Sequence, residues 1–296
     1  FKQRPFCKVH ASPIISPLRF GEDAAGVMIE AINYGIPINA ITAGQSGATA
    51  PATLAGALVQ TTAETLAALI FVHLIDPDHP FIFSNWPFVS DLRTGSFSGG
   101  GGEEAVLNAA SAQMINYYGL PSGIAAGMAD SKLPDAQAGY EKALTTVLAG
   151  TSGANLVYES AGMLGSLLGC SFESFVIDNE MLGSVLRAVR GIEVSDETLA
   201  VDVIEQTVNG PGHYLGADQT IATMESEYVY PLLGDRTTPT QWQENGATDI
   251  RQRARDQANE ILEKHFPQYI DPAIDKKLRE RFPIKLPLKN MTGPRS

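Results

Sequence analysis

The chain has 296 residues, 44% of them hydrophobic and 18% charged, with a formal net charge of −12. Such a composition buries a large core and excludes extensive disorder, and the length suits one large α/β domain. The negative surplus repels phosphate backbones and anionic lipid heads, which excludes nucleic acid and membrane surfaces as main partners and favours cationic or neutral ligands.

The first residue is Phe1, so the numbering is expected to begin partway through a fold. In chain order, short β-like runs alternate with longer helical ones, the pattern of a parallel sheet with crossover helices. Strands are expected at residues 9–15, 37–42, 80–84, 123–126 and 155–159, with a weaker one near 213–215. Amphipathic helices are expected at 22–34, 51–72, 103–118 and 134–148. Pro51 and Pro134 are placed in first helical turns, and Gly35, Gly119 and Gly150 at C-terminal caps.

Repeated βα units with short turns favour a TIM-type (β/α)8 barrel over a doubly wound sheet. Fewer than eight strands are countable, so about two units are expected to lie N-terminal to this chain, leaving approximately strands 3–8. The organisation expected is βα units over 1–170, the last barrel unit and a helical C-terminal extension over 171–283, and a mobile tail over 284–296. In the second part, helices are expected at 172–189, 195–208, 219–228 and 249–265, with Ser195 as an N-cap.

Cys7 and Cys170 are the only cysteines and form no CxxC, which gives neither a disulfide framework nor a zinc site and favours a reducing cytoplasm. Thr61, Thr62 and Glu64 interrupt the most apolar segment, so no run of about 18 uninterrupted apolar residues occurs and a soluble protein is expected. His10, His73, His79, His213 and His265 form neither HExxH nor a close His/Cys cluster, so no directly bound metal is expected.

The glycine run 99–102 precedes a helix that opens with Glu103 and Glu104, carboxylates that compete with any bound anion for the helix amides. A loop over the barrel mouth is therefore expected rather than a phosphate cradle. Gly44-Gln45-Ser46-Gly47 is not a GxSxG elbow, which argues against a serine hydrolase.

Loops at the carboxyl ends of barrel strands build the site. Segment 84–93 crowds Trp86, Phe88, Asp91 and Arg93 into one such loop. One reading is that Trp86 and Phe88 plug the barrel top while Asp91 pairs with Arg93; the other is an aromatic wall that holds a quaternary ammonium by cation–π attraction. Gln45 and Ser46, Met128, Asp130 and Lys132, Tyr158 and Glu159, and His213 and Tyr214 end other strands. If the barrel is right, they share one rim suited to a small cation.

Several stretches resemble the trimethylamine methyltransferase family: Ser16-Pro-Leu-Arg-Phe-Gly-Glu-Asp23, Ala43-Gly-Gln-Ser-Gly-Ala48, Ala129-Asp-Ser-Lys-Leu-Pro-Asp-Ala-Gln-Ala-Gly-Tyr140, Val176-Ile-Asp-Asn-Glu180, Arg190-Gly-Ile-Glu193 and Gly210-Pro-Gly-His-Tyr-Leu215. The resemblance runs from about residue 4 to 270. It implies the C-terminal part of a longer TIM barrel that moves a methyl group from a methylated amine to the cobalt of a corrinoid carried by a separate small protein. No DxHxxG corrinoid-binding signature occurs here, in keeping with a cofactor that arrives on its partner. Archaeal trimethylamine members insert pyrrolysine in the barrel, and some bacterial relatives without it act on glycine betaine. This sequence holds only standard residues, and the resemblance puts the pyrrolysine position near 155–159.

Within that resemblance, Trp86 and Tyr158 are expected to wall the ammonium, with Phe88 and Met128 beside them, and Glu159 or Asp130 to supply negative potential. Arg93 or Lys132 is expected to hold a substrate carboxylate; Gln45, Ser46, His213 and Tyr214 are rim candidates for substrate or corrinoid contacts. A sheet lacking barrel units exposes an edge, so a homo-oligomer or completion by further chain is expected. Two rivals remain: a barrel that binds quaternary amines without transferring a methyl group, and a lyase that uses Lys132 as a Schiff-base amine.

Overall fold

The structure is a computed structural model that describes residues 3–267, 269–288 and 291. The chain forms two compact units, Phe1–Leu232 and Leu233–Ser296, and the expected division at 170 falls inside the first.

The first unit is built on parallel strands that follow one another in space as they do in sequence: β1 (Val9–Ala11), then α1 (Glu22–Tyr34), β2 (Ile38–Thr42), α2 (Leu54–Ile75), β3 (Phe81–Asn85), α3 (Gly102–Tyr117), β4 (Gly123–Ala125), α4 (Ala136–Thr151) and β5 (Leu156–Tyr158). Val9 pairs with Ile38 and Ile38 with Phe81; a parallel bridge from Phe83 to Ser122 continues to β4, and Leu156 pairs with Gly123. The strand order never reverses, which separates this sheet from a doubly wound one. The described strands do not close into a barrel.

Alternation along the strands divides two faces. On the helix side, Ala11, Ile38 and Ala40 pack with Met28, Ala31 and Val72 of α1 and α2, while Phe83 and Ile124 pack with Ala112, Ile115 and Ala149 of α3 and α4. On the other side, Asn39 hydrogen-bonds His10 at 3.3 Å and accepts from Ser84 Oγ at 2.6 Å, so neighbouring strands are laced by polar groups as well. Ser84 and Tyr158 crowd Gly123, where a Cβ would lie 2.1 Å from Ser84 Oγ and 2.8 Å from the Tyr158 ring. Only glycine fits between them.

Helix α2 is long and apolar enough to cross a membrane by length and composition, although Thr61, Thr62 and Glu64 interrupt its apolar run. Here it buries one face, with Ala57, Ala68 and Val72, and leaves Val59, Ile70 and Leu74 exposed. Glu64 is fully buried and accepts from Ser16 Oγ at 2.8 Å and Leu18 N–H at 2.9 Å, so its carboxylate ties the loop after β1 to the helix.

Helix α5 (Phe172–Arg190) follows a short antiparallel pair, Met163–Leu164 with Gly169–Cys170, and packs on α4. After it come α6 (Asp196–Leu199), α7 (Val201–Val208) and α8 (Asp218–Glu227). Ser195 caps α6 as expected, but 195–208 is not one helix: Ala200 takes a left-handed conformation, φ 53°, and breaks it. The second unit contains α9 (Pro239–Glu244), α10 (Ile250–Lys264) and α11 (Pro272–Arg281); the sequence pattern anticipated only α10.

Some local expectations are corrected. Residues 213–215 form a turn rather than a strand, because the flanking glycines and Pro211 leave no extended run to pair. Pro51 and Pro134 precede their helices, whose N-caps are Thr53 and Asp135, and Gly150 lies within α4, whereas Gly35 does cap α1 with φ 69°. The expected tail falls partly on residues 289–290 and 292–296, outside the described residues.

Candidate active site at the strand ends

The carboxyl ends of β2 to β5 bring the aromatic candidates together. Trp86 leaves β3, turns inward and donates its indole N–H to the Gly123 carbonyl at 3.0 Å. Its ring centroid lies 6.3 Å from that of Phe88 and 5.6 Å from that of Tyr158, and Phe88 meets Phe97 edge-on at 4.8 Å. Met128, Ala125 and Met163 complete the cluster. Trp86 and Phe88 are buried and Met128 is fully so, whereas Tyr158 remains half-open. The rings pack against each other as a plug, with Tyr158 forming its accessible edge.

That edge already contacts a cation. Lys8, just before β1, donates to the Tyr158 hydroxyl, and its ammonium nitrogen lies 4.5 Å from the ring centroid. His10 meets Tyr158 edge-on. Partial loss of solvent, then the Lys8 ammonium, holds the His10 imidazole below its ordinary range. Neither Lys8 nor His10 stands out in sequence, because their proximity to Tyr158 depends on the curvature of the sheet.

Beside the plug is a polar hollow of about 590 Å³ lined by Ser46, Ser90, Asp91, Arg93, Ser98 and Asp130, among others. Asp130 is committed to the fold: its carboxylate accepts from Ser98 Oγ at 2.5 Å, Gly99 N–H at 2.8 Å and Ser166 Oγ at 2.6 Å. Glu141, from α4, accepts the Asp130 amide at 2.7 Å and thereby fixes the same turn. The glycine run is a packed turn: a Cβ on Gly99 would press on Met128 and one on Gly100 would reach the Glu141 carboxyl. Ser46 Oγ donates to Pro51 O at 3.0 Å, and Gln45 accepts from Ser90 Oγ at 3.2 Å.

The pair foreseen in the 84–93 loop is present: Arg93 binds Asp91 through two guanidinium hydrogen bonds, of 3.0 and 2.7 Å, and holds the Asp91 carboxyl down at about 2. Lys132 is exposed and donates to the Asp130 carbonyl at 2.7 Å, so no apolar surroundings activate its amine. His213 and Tyr214 stand apart from this rim, in the turn between α7 and α8; His213 lines a separate hollow of about 420 Å³ with Gln206, Thr207 and Asp218.

Glu159 follows β5 with φ 62°, an unfavourable conformation for a side chain of its size, and it has no hydrogen-bond partner among the described residues. Among the candidate carboxylates it is the one left unengaged. Behind the rim, Glu104 is fully buried with neither oxygen hydrogen-bonded, and burial raises its carboxyl well above the ordinary range, with Asn108 offsetting part and Asp130 adding to the shift. Its place in the sequence marks it only as a first-turn helix acid. No group of three or more His, Cys, Asp or Glu residues is arranged to hold a metal among the described residues.

The strand ends of this singly wound parallel α/β sheet thus carry aromatic and methionine side chains beside a hollow lined by hydroxyl and carboxylate groups. Residues 2–285 match the trimethylamine methyltransferase (MTTB) family, and the chain belongs to that family. It is 38% identical over 278 residues to the trimethylamine methyltransferase MttB of Desulfitobacterium hafniense (strain DSM 10664 / DCB-2), covering 94% of this chain and 55% of that protein. It is 35% identical over 265 residues to the glycine betaine methyltransferase of Desulfitobacterium hafniense (strain Y51), covering 90% and 55%, and 36% identical to the MttB of Methanosarcina barkeri (strain Fusaro / DSM 804), covering 89% and 53%. The chain thus spans about half the length of the curated relatives it matches.

Proposed function

We propose that this chain is part of a TIM-type barrel methyltransferase, which takes a methyl group from a methylated, preferably quaternary, amine such as a betaine. The acceptor in this reading is the reduced cobalt of a corrinoid delivered by a separate protein. The observation that carries the proposal is the gathering of Trp86, Phe88, Tyr158, Met128 and Met163 beside an acid-bearing hollow in a chain of this family.

A quaternary nitrogen suits the residues present. When its methyl carbon is transferred, the carbon–nitrogen electron pair stays on nitrogen and the amine departs neutral, so no proton donor is required. The protein's part is then to desolvate the cation and orient one methyl group. In this role Tyr158 offers the accessible ring edge, Trp86 and Phe88 hold that ring from behind, and Glu159 supplies negative potential from the rim. A carboxylate in direct contact overbinds the ground state, so a rim position favours turnover. Arg93 lines the hollow and offers its guanidinium to a substrate carboxylate, although Asp91 must share it.

The test is methyl transfer from glycine betaine, carnitine or trimethylamine to cob(I)alamin, followed by absorbance with the intact protein. Alkylation of cobalt by one donor is the expected result. Absence of transfer from all three, with a corrinoid protein supplied, overturns the proposal; ligand binding without alkylation leaves a binding protein.

A further inference from the structure

Lys142 of α4 and Asp178 of α5 form an ion pair outside the rim, with side-chain exposures of 2% and 5%. The Asp178 oxygen that receives Lys142 also accepts the Gly162 N–H at 2.7 Å. Gly162 lies between Tyr158 and Met163, both of which pack into the aromatic cluster. We propose that Asp178, its buried charge balanced by Lys142, is a positioning residue whose acceptor fixes the 159–163 loop, and with it Glu159, at the rim; the inference rests on the proposed site and deepens it.

The loop is pinned from several directions. Tyr158 O accepts from Ala126 N–H at 3.0 Å, and Ser160 packs so tightly against Gly127 that a Cβ there would lie 2.6 Å from the Ser160 Cα. Gly162 O accepts from Ser171 N–H at 3.3 Å, and a Cβ on Gly162 would enter the Phe175 ring at 2.5 Å. A non-glycine residue holds a left-handed conformation only where its surroundings over-determine it, and Glu159 sits inside this span.

Stability alone does not explain the pair. Buried ion pairs are weak stabilisers, and apolar side chains of similar volume fill such sites at least as well. An apolar pair, however, offers no acceptor to the Gly162 amide. Burial raises the Asp178 carboxyl despite Lys142 and Gly162, in keeping with a charge retained at some cost.

Two double variants separate the roles: Lys142→Met with Asp178→Asn, and Lys142→Met with Asp178→Leu. Both remove the charges, and only the first keeps an acceptor for Gly162. Hydrogen exchange at amides 159–161 and calorimetric binding of tetramethylammonium and glycine betaine are measured on the intact protein. With asparagine, exchange and affinity stay near those of the unsubstituted protein; with leucine, exchange quickens and affinity falls by about three- to tenfold, the worth of one hydrogen bond. Identical exchange in the two overturns the inference. If the leucine pair does not melt cooperatively, Asp178→Ala replaces Asp178→Leu and the same comparison decides. If the unsubstituted protein binds neither ligand, the proposed site fails and the exchange contrast alone judges the loop.

Discussion

The rings of His10 and Tyr158 meet edge to face with centroids 5.2 Å apart, although one stands on the first parallel strand and the other on the last. Four interstrand spacings of about 4.8 Å would separate them by about 19 Å in a flat sheet. The sheet therefore curls into a trough, and its strand-end side chains face one another across it. This curvature, rather than any motif, brings Lys8 and Tyr158 together.

Gly123→Ala tests that packing. A methyl group at 2.1 Å from Ser84 Oγ and 2.8 Å from the Tyr158 ring must push one of them aside, at a cost of about 1–3 kcal/mol. Denaturant unfolding should show this loss.

Trp86→Ala removes a buried ring and the hydrogen bond to Gly123, and should destabilise the protein by about 3–5 kcal/mol. Measured where the variant is still folded, tetramethylammonium binding should weaken by about 1–2 kcal/mol, because Tyr158 loses its support in the cage. A dissociation constant that does not move takes Trp86 out of the site.

Glu159→Gly should act in opposite directions on stability and activity. Glycine accepts φ 62° without strain, so the melting midpoint should rise, by about 1 kcal/mol in free energy. If the carboxylate supplies the rim potential, methyl transfer from a quaternary donor should fall at the same time. Unchanged transfer would assign the negative potential elsewhere.

Glu104 makes a pH prediction. Its folded-state carboxyl is raised by burial, so above the unfolded-state value near 4.3 the folded protein holds a proton that the unfolded chain releases. Its contribution is therefore greatest below that value and declines as pH rises toward the folded-state value. Glu104→Gln keeps the shape and removes this proton. Urea titrations from pH 4 to 8 should show the variant gaining on the unsubstituted protein as pH increases; parallel profiles would place a charged Glu104 in the fold.

Sequence periodicity determined the parallel α/β class and the βα repeat through Tyr158, because burial on one side of a helix and on both sides of a strand writes itself into local spacing. The residues 16–23, 129–140 and 176–180 carry the family signature but do not disclose their partners. Only the tertiary structure decided that Asp130 is consumed by Ser98, Gly99 and Ser166, that Asp178 reaches Lys142 and the Gly162 amide, and that His213 and Tyr214 lie apart from the other candidates. These are relationships between segments distant in the chain. They depend on how far the sheet curls and which loops it brings into contact, and no local pattern of side chains encodes either quantity.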